Sequence, residues 1–534
     1  MDVRGLRPGP VRPLVEVVAP TLPFLPRDIS AQLEREFWRR HGNAPTWERK
    51  YAAQAWLAGE VATFEREKIH VAFDEPEIRA LAQRWADLCM RMQRIEVMQD
   101  FARSVGVTPP EVRGRVTRVG VMRRMTDARW WRRQIRKQYT RRAESHLRAA
   151  GFVHRRRQLY ASDRAVEHRK QRKAADRAML QELLAISDAG DQLELWDIVQ
   201  HSQAHPALRR AELMTRLRGF EEVASASAHV AEFVTLTCPS AFHRMHDNGT
   251  RNERWEGYSP REGQAWLCKM WARARAKLQR LSIRYYGFRI AEPHHDGTPH
   301  WHVILFVPEH HAETVRTVLR DVWLAEYAEE PGARKWRTKF IRIDRAKGSA
   351  VGYVSKYVAK NIDGFEVGED YESETGADAK ATCDRVAAWA SAHGIRQFQQ
   401  IGGPPVTVWR ELRRIRAEVR DSETIEAARK AADAGEWADF IAALGGIERG
   451  RAGRVQLWRE HTGELNRYGE MRCACVVGVR SARTAVRTRV KCWRIQWKAP
   501  ATVPSLGPVS ITVRGSKTMP GEGSTGAIRS GSAR

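Results

Sequence analysis

Thr298-Pro299-His300-Trp301-His302-Val303-Ile304-Leu305-Phe306-Val307 is the stretch whose reading decides the fold. Beyond the histidines it is apolar at every position, and it is too short for a buried helix, so it reads as a strand. Side chains alternate across a strand. That puts His300 and His302 on one face with Ile304 and Phe306, and Val303, Leu305 and Val307 on the other. A strand apolar on both faces belongs in the middle of a sheet that is covered on both sides. Trp301 reads as core. Two imidazoles side by side at the open end form a place for one divalent ion.

Upstream, Ile283 to Glu292 reads as a partner strand, and His294-His295-Asp296-Gly297-Thr298 as the turn joining the two. The turn brings Glu292 to the histidine end, where it is the expected third metal ligand. His294, His295 and Asp296 are rivals for that place, with support of the imidazoles as their alternative task. Mg²⁺ or Mn²⁺ suits such a set: imidazole favours Mn²⁺, and abundance in cells favours Mg²⁺. Downstream, Gly352 to Asn361 reads as a helix capped by Ser349 and stopped by Gly364. Tyr353 and Tyr357, four residues apart, share one face, with Lys356 and Lys360 on or beside it. Alone, two tyrosines at this spacing suit ordinary packing; beside a histidine pair they suggest chemistry.

A strand with His-hydrophobe-His, followed by a helix with two tyrosines four apart, resembles the HUH endonuclease superfamily. Within it the chain is similar to the gene A replication initiators of tailed bacteriophages and related prophages. Phe233 to Ser240, Asp344 to Gly364 and Gly394 to Arg414 carry the same likeness. It is specific from about 230 to 415, looser near 120–180, and does not reach the tail. The resemblance implies an α+β fold of the HUH endonuclease type. A central antiparallel sheet would have the His-x-His strand at its centre, flanking helices, and the tyrosine helix against it, with an α-helical basic region before it. It supports a polar third ligand from the neighbouring strand. It implies a site-specific single-strand DNA endonuclease and ligase that nicks an origin through a 5′-phosphotyrosine, frees a 3′-OH and starts rolling-circle replication of phage DNA. Tyr353 and Tyr357 are then alternating nucleophiles. Lys356 and Lys360 are expected to favour the phenolate, because a phenol with a pKa near ~10 needs help to ionise.

The 534 residues suffice for two to four domains. Lys and Arg outnumber Asp and Glu by 91 to 64, a net charge of +27, which points to a polyanionic partner. Origin DNA, single-stranded or supercoiled, fits. From Arg123 to Arg177 there are 19 Lys/Arg against 5 Asp/Glu, about half the excess of the whole chain. A helix is expected from Asp127 to Gly151. On it Trp130 and Trp131 adjoin Arg129, Arg132, Arg133, Arg136 and Lys137, so phosphates would meet the cations and unpaired bases would stack on the indoles. No apolar run is long enough to span a bilayer, and the proline-rich N-terminus lacks a signal-peptide core. The chain is expected in the cytoplasm of a bacterial host, away from membranes. Seven cysteines without CxxC spacing suggest reduced thiols. Cys238, His243 and His246 show no fourth metal partner. There is no GxxxxGK[ST], so unwinding is expected from a host helicase working with the replisome.

The expected organisation is a flexible lead over 1–26, an α-helical region over 27–225 with its basic segment near 123–177, and a nuclease domain over 228–415. Helices and a small β element follow over 416–498, and a disordered tail over 499–534. Expected helices include about 46–66, 74–98, one opened by Thr108-Pro109-Pro110-Glu111, and 164–200. An acidic insertion spans 366–378. Three rivals stand. A conjugative relaxase or transposase shares the fold but favours other tyrosine patterns. A non-catalytic DNA-binding protein fits composition alone. A cupin-type oxygenase would carry Glu shortly after the histidine pair, where this chain has Leu305, Phe306 and Val307.

Overall fold

The computed structural model describes residues 27–42, 46–66, 75–346, 348–363, 379–498 and 511–513. The lead over 1–26, the stop at Gly364, the acidic insertion and most of the tail lie outside the described residues. In chain order the strands are β1 (Leu183–Ser187), β2 (Gln192–Glu194), β3 (His229–Thr237), β4 (Tyr286–Pro293), β5 (Pro299–Pro308) and β6 (Thr338–Arg342). Then come β7 (Phe398–Ile401), β8 (Gln456–Glu460), β9 (Cys475–Arg480), β10 (Ala485–Arg487), β11 (Trp493–Trp497) and β12 (Ile511–Val513). The chain forms an α+β fold with antiparallel sheets. It divides into two compact units. The first takes in residues up to Ala174, Pro206–Gly403 and His461–Cys473; the second takes in Ala175–His205, Pro404–Glu460 and the chain from Ala474.

The first unit holds a five-stranded sheet of order β6-β3-β5-β4-β7, so β5 is the middle strand. Every pairing in it is antiparallel. Trp301, Val303, Leu305 and Val307 project to one side and are fully buried with Val234, Leu236 and Ala291. Helices Pro260–Arg280 and Ala312–Trp323 cover that side through Leu267, Met270, Leu319 and Trp323. Each such aliphatic or aromatic side chain contributes about 1.5–3 kcal/mol over leaving it exposed. Ser259 caps the first of these helices in a capping box with Glu262. Beneath the opposite face, Phe220 of helix Pro206–Ala226 packs on Tyr286 and Phe288 of β4. Gly287 lets β4 and β5 approach there: a Cβ at this position would lie 1.9 Å from the Ile304 carbonyl oxygen.

Helices Glu75–Arg91, Ile95–Ser104 and Arg118–Met125 share a core with the first half of helix Ala128–Ala149, and helices Arg27–Gly42 and Trp47–Arg66 share another with its second half. Asp127 caps the long basic helix, as its spacing predicts. The helix expected to open at Thr108 does not form: residues up to Thr117 are irregular, and the next helix starts at Arg118 with Thr117 as its cap. Two adjacent prolines remove two N–H donors and push the residue before each out of helical space. The helix expected over 164–200 ends at Gln181. β1 and β2 follow as a hairpin. Its turn is held by the Ser187 hydroxyl donating to the Asp191 carboxylate at 2.6 Å, with Gly190 in the left-handed region.

In the second unit, β12-β11-β1-β2 form one sheet and β10-β9-β8 another. The single β element expected over 453–498 is therefore two sheets, and one of them recruits a hairpin from nearly three hundred residues earlier. Ile511–Val513 pair with β11 inside the stretch expected to be disordered. Helices Val406–Leu412 and Glu423–Ala434 follow β7 in the chain, the second capped by Ser422. They pack with Trp437–Ala443 around Trp409, Trp437 and Phe440. No described helix is long and apolar enough to cross a membrane.

Candidate active site

Register decides the site. His300 pairs with Glu292 of β4 on one side and Thr237 of β3 on the other, and His302 pairs with Ile290 and Thr235. Residues opposite each other in an antiparallel pair share a face, so Glu292, His300 and His302 converge. One ligand atom from each lies within 4.8 Å of the other two. The Nε2 atoms of the histidines are 2.9 Å apart, and His302 Nε2 is 3.6 Å from the Glu292 carboxylate. Burial pushes His302 down to about 4 and His300 well below the usual histidine range, so both rings are neutral near pH 7 and offer lone pairs. Two neutral imidazoles and one carboxylate are a donor set that fits a divalent cation such as Mg²⁺ or Mn²⁺.

The rivals for the third place are elsewhere. Asp296 is fully buried in the turn, where Arg148 donates to its carboxylate at 3.2 Å and to its carbonyl at 2.7 Å. Burial pushes the Asp296 carboxyl up, but His243 and Arg148 outweigh it and hold it well below the usual carboxylate range. His243 Nδ1 is 3.4 Å from that carboxylate, so it belongs to the turn. His294 lies against the His300 ring at 4.1 Å and supports it from behind. Gly297, in the left-handed region, closes the turn by donating to the His294 carbonyl at 2.8 Å. Cys238 is buried, 3.6 Å from the Gly263 carbonyl.

Helix Ala350–Ile362, capped by Ser349, brings both tyrosines to the same face of the sheet. The Tyr357 ring lies 4.4 Å from His302, and the Tyr353 ring 6.2 Å from Tyr357. Phe233 of β3 sits among them: it stacks on His302 at 5.4 Å and on Tyr357 at 5.3 Å, and meets Tyr353 edge-on at 4.6 Å. Lys360 reaches the Glu292 carboxylate at 3.5 Å, while Lys356 stands over the two tyrosine rings at 5.6 and 5.4 Å. Lys360 favours the Tyr357 phenolate but is outweighed. Burial, Tyr353 and Glu292 push its phenol up, and Lys360 offsets only part of this. Ionisation of Tyr357 calls for positive charge beyond what these side chains supply.

Five supporting residues are not assigned to the site by the sequence. Asn361 donates to Glu292 and accepts from the Gln397 amide at 3.2 Å, so a helix-end residue and the residue just before β7 together hold the carboxylate. Thr235 is 3.3 Å from His302 Nδ1. Alternation along β3 puts Phe233, Thr235 and Thr237 on the histidine face, which is the signal that points to Phe233 and Thr235. Arg148 has no local signal.

The basic helix departs further from expectation. Trp130 is 4 % exposed and Trp131 fully buried in the helical core, so neither indole is free to stack on a base. Apolar area at i and i+1 on a cationic helix is what that core needs. Arg132 and Arg136 both bond Glu75. Arg129, Arg133 and Lys137 remain exposed, four residues apart along one face.

Residues 80–365 match the family described as bacteriophage replication gene A protein (GPA). The chain is 41 % identical over 382 residues to the replication gene A protein of Escherichia phage 186, covering 70 % of this chain and 55 % of that one. It is 35 % identical over 400 residues to the replication gene A protein of Escherichia phage P2, covering 71 % and 52 %. It is 34 % identical over 338 residues to a probable replication endonuclease from a prophage-like region of Salmonella paratyphi A, covering 61 % and 42 %. The chain thus spans about half the length of the curated relatives it matches. No solved structure matches it.

Proposed function

Because this chain belongs to the bacteriophage replication gene A protein family, we propose that it nicks and rejoins one strand of an origin through tyrosine, in the manner of HUH endonucleases, to start rolling-circle replication. The observation that carries the reading is the pair of phenols on the same sheet face as Glu292, His300 and His302, with Tyr357 in ring contact with His302. Those three residues would hold Mg²⁺ or Mn²⁺, which when bound supplies positive charge to a phosphodiester and to the nearby phenol. Asn361, Gln397 and Lys360 fix the carboxylate, and Thr235 and His294 fix the imidazoles. Phe233 sets the angle of both phenols and of His302 at once.

The step is a transesterification. Tyr357 gives up its proton and its oxygen attacks phosphorus; the bond from phosphorus to the 3′ oxygen breaks, and that oxygen leaves and takes up a proton. The 5′ phosphate is then esterified to tyrosine. The ester keeps the energy of the bond, so attack by a 3′-OH reseals the strand without ATP. Tyr353, its ring 6.2 Å from that of Tyr357, would take the second turn. A separate helicase of the host opens the duplex in this scheme.

Supercoiled DNA carrying the origin, incubated with the chain and Mn²⁺, tests it. The expected product is nicked circles with protein attached covalently to a 5′ end. Tyr353→Phe with Tyr357→Phe removes the adduct completely; persistence of the adduct in that double variant overturns the assignment of nucleophiles.

A further inference from the structure

Between helices Ala128–Ala149, Asp163–Gln181 and Ala379–His393 runs a cleft of about 480 Å³ lined by Arg133, Lys137, Arg141, His168 and Arg172, with the Ser391 hydroxyl. A second cleft of about 490 Å³ continues it past Lys137 and Arg141 to Arg261 and Arg124. The two share Lys137 and Arg141, which makes one cationic track. Arg141 Nε is shielded from solvent and hydrogen-bonds nothing. Its guanidinium converges with that of Arg261: a Cβ on Gly394 would lie 2.7 Å from an Arg141 nitrogen and 3.4 Å from an Arg261 nitrogen. Burial lowers Lys137, and the charges that act on it are Arg141, Arg261 and Arg133, all of its own sign. Burial and Arg261 likewise lower Arg141. Cations gathered in a concave surface with a shielded, unpaired donor are a site for an anion.

We propose that this cleft binds the phosphodiester backbone of a DNA strand, with Lys137, Arg141 and Arg261 as its phosphate ligands. The proposal rests on the reading that DNA is the partner, and it centres the contact on Lys137 and the cations that share its cleft. The lining carries three hydroxyls, Thr108, Thr140 and Ser391, and its one Phe, Trp or Tyr is the buried Trp130. It is built to grip phosphates and not to stack on bases, so its binding is indifferent to sequence. The walls also connect to the nicking site. Arg148 stands seven residues after Arg141 on the same helix and holds the turn before His300, and Trp389 of helix Ala379–His393 donates to the Gly297 carbonyl at 2.8 Å.

The test uses the full chain with Tyr353→Phe and Tyr357→Phe, so no cleavage intervenes. Binding of a labelled oligo(dT) strand and of a duplex without the origin is measured by anisotropy between about 50 and 200 mM salt, where phosphate contacts dominate. Lys137→Gln with Arg141→Gln is expected to flatten the log–log salt slope by about 1.4 on single strands or about 1.8 on duplex. The DNA form that shows the change is the one the cleft holds. The melting temperature should stay or rise, because like charges are removed. If it falls, Lys137→Arg with Arg141→Lys restores the slope where charge is what matters. An unchanged slope on both DNAs overturns the proposal. Adduct formation in chains with both tyrosines present is scored separately, so failure of the cleft and failure of the nicking chemistry are told apart.

Discussion

The end of the β4–β5 hairpin and the helix Ala128–Ala149 both crowd chemistry-bearing residues, yet they use them differently. On the hairpin, Glu292, His300 and His302 come together as their spacing predicts. On the helix, Trp130 and Trp131 are core, Arg132 and Arg136 bond a carboxylate, and Arg148 is 2 % exposed under the β4–β5 turn. A strand offers two faces, and the short turn His294–Thr298 fixes which positions oppose. A helix offers a continuous ring of directions, and long side chains let a cation reach a partner well away from its own face. Charge density on a helix therefore states a composition, while alternation on a paired strand states a position.

Arg148 is the sharpest break point of this contrast. By sequence it is one more cation among nineteen. In the fold its guanidinium donates to the carbonyls of Tyr258 and Phe242 at 2.7 and 2.6 Å and to Thr298 Oγ1 at 2.8 Å, besides Asp296. Arg148→Leu takes the guanidinium away from the buried Asp296 carboxylate and removes a donor from three carbonyls, and is expected to cost about 3–5 kcal/mol of stability in urea unfolding. Arg129→Gln, on the exposed face, should stay within about 0.5 kcal/mol. Equal costs for the two would erase the distinction between the regions.

What was legible follows the same line. The mid-sheet place of β5, the Asp296-Gly297 turn, the Ser349 cap and the pairing of Glu292 with the histidine end all follow from rules that act over a few residues. The misses are long-range or conditional. The β1 hairpin completes its sheet only with β11, and Pro109-Pro110 mimics a helix start that its own second proline forbids. Asn361 and Gln397 looked like a helix end and a strand residue because their partner, Glu292, comes from β4.

That last case makes a second test, on the hairpin side. Asn361→Ala removes a donor from Glu292 and frees the Gln397 amide, while every ligand stays in place. Mn²⁺ affinity, read from the loss of the free-ion paramagnetic resonance signal, is expected to weaken by about 10–100-fold. Since the readout is binding, it does not depend on nicking. Unchanged affinity would mean that Glu292 holds its position through Lys360 and the strand alone.

The smallest effect lies on the helix side, where Glu75 is the discriminating residue. It bonds Arg132 and Arg136 together, the latter at 2.8 Å, and all three side chains are about one-third exposed or less. Half-exposed pairs of this kind add little stability, about 1 kcal/mol or less. Their larger consequence is electrostatic, since one carboxylate cancels one of two cations near the cleft. Glu75→Gln should steepen the salt slope of DNA binding by up to about one unit while moving the melting temperature little. A steeper slope would mean that the two arginines face the phosphates and are only held back. No change in slope would assign them wholly to the helical core, leaving Lys137, Arg141 and Arg261 as the cations that meet DNA on this side of the helix.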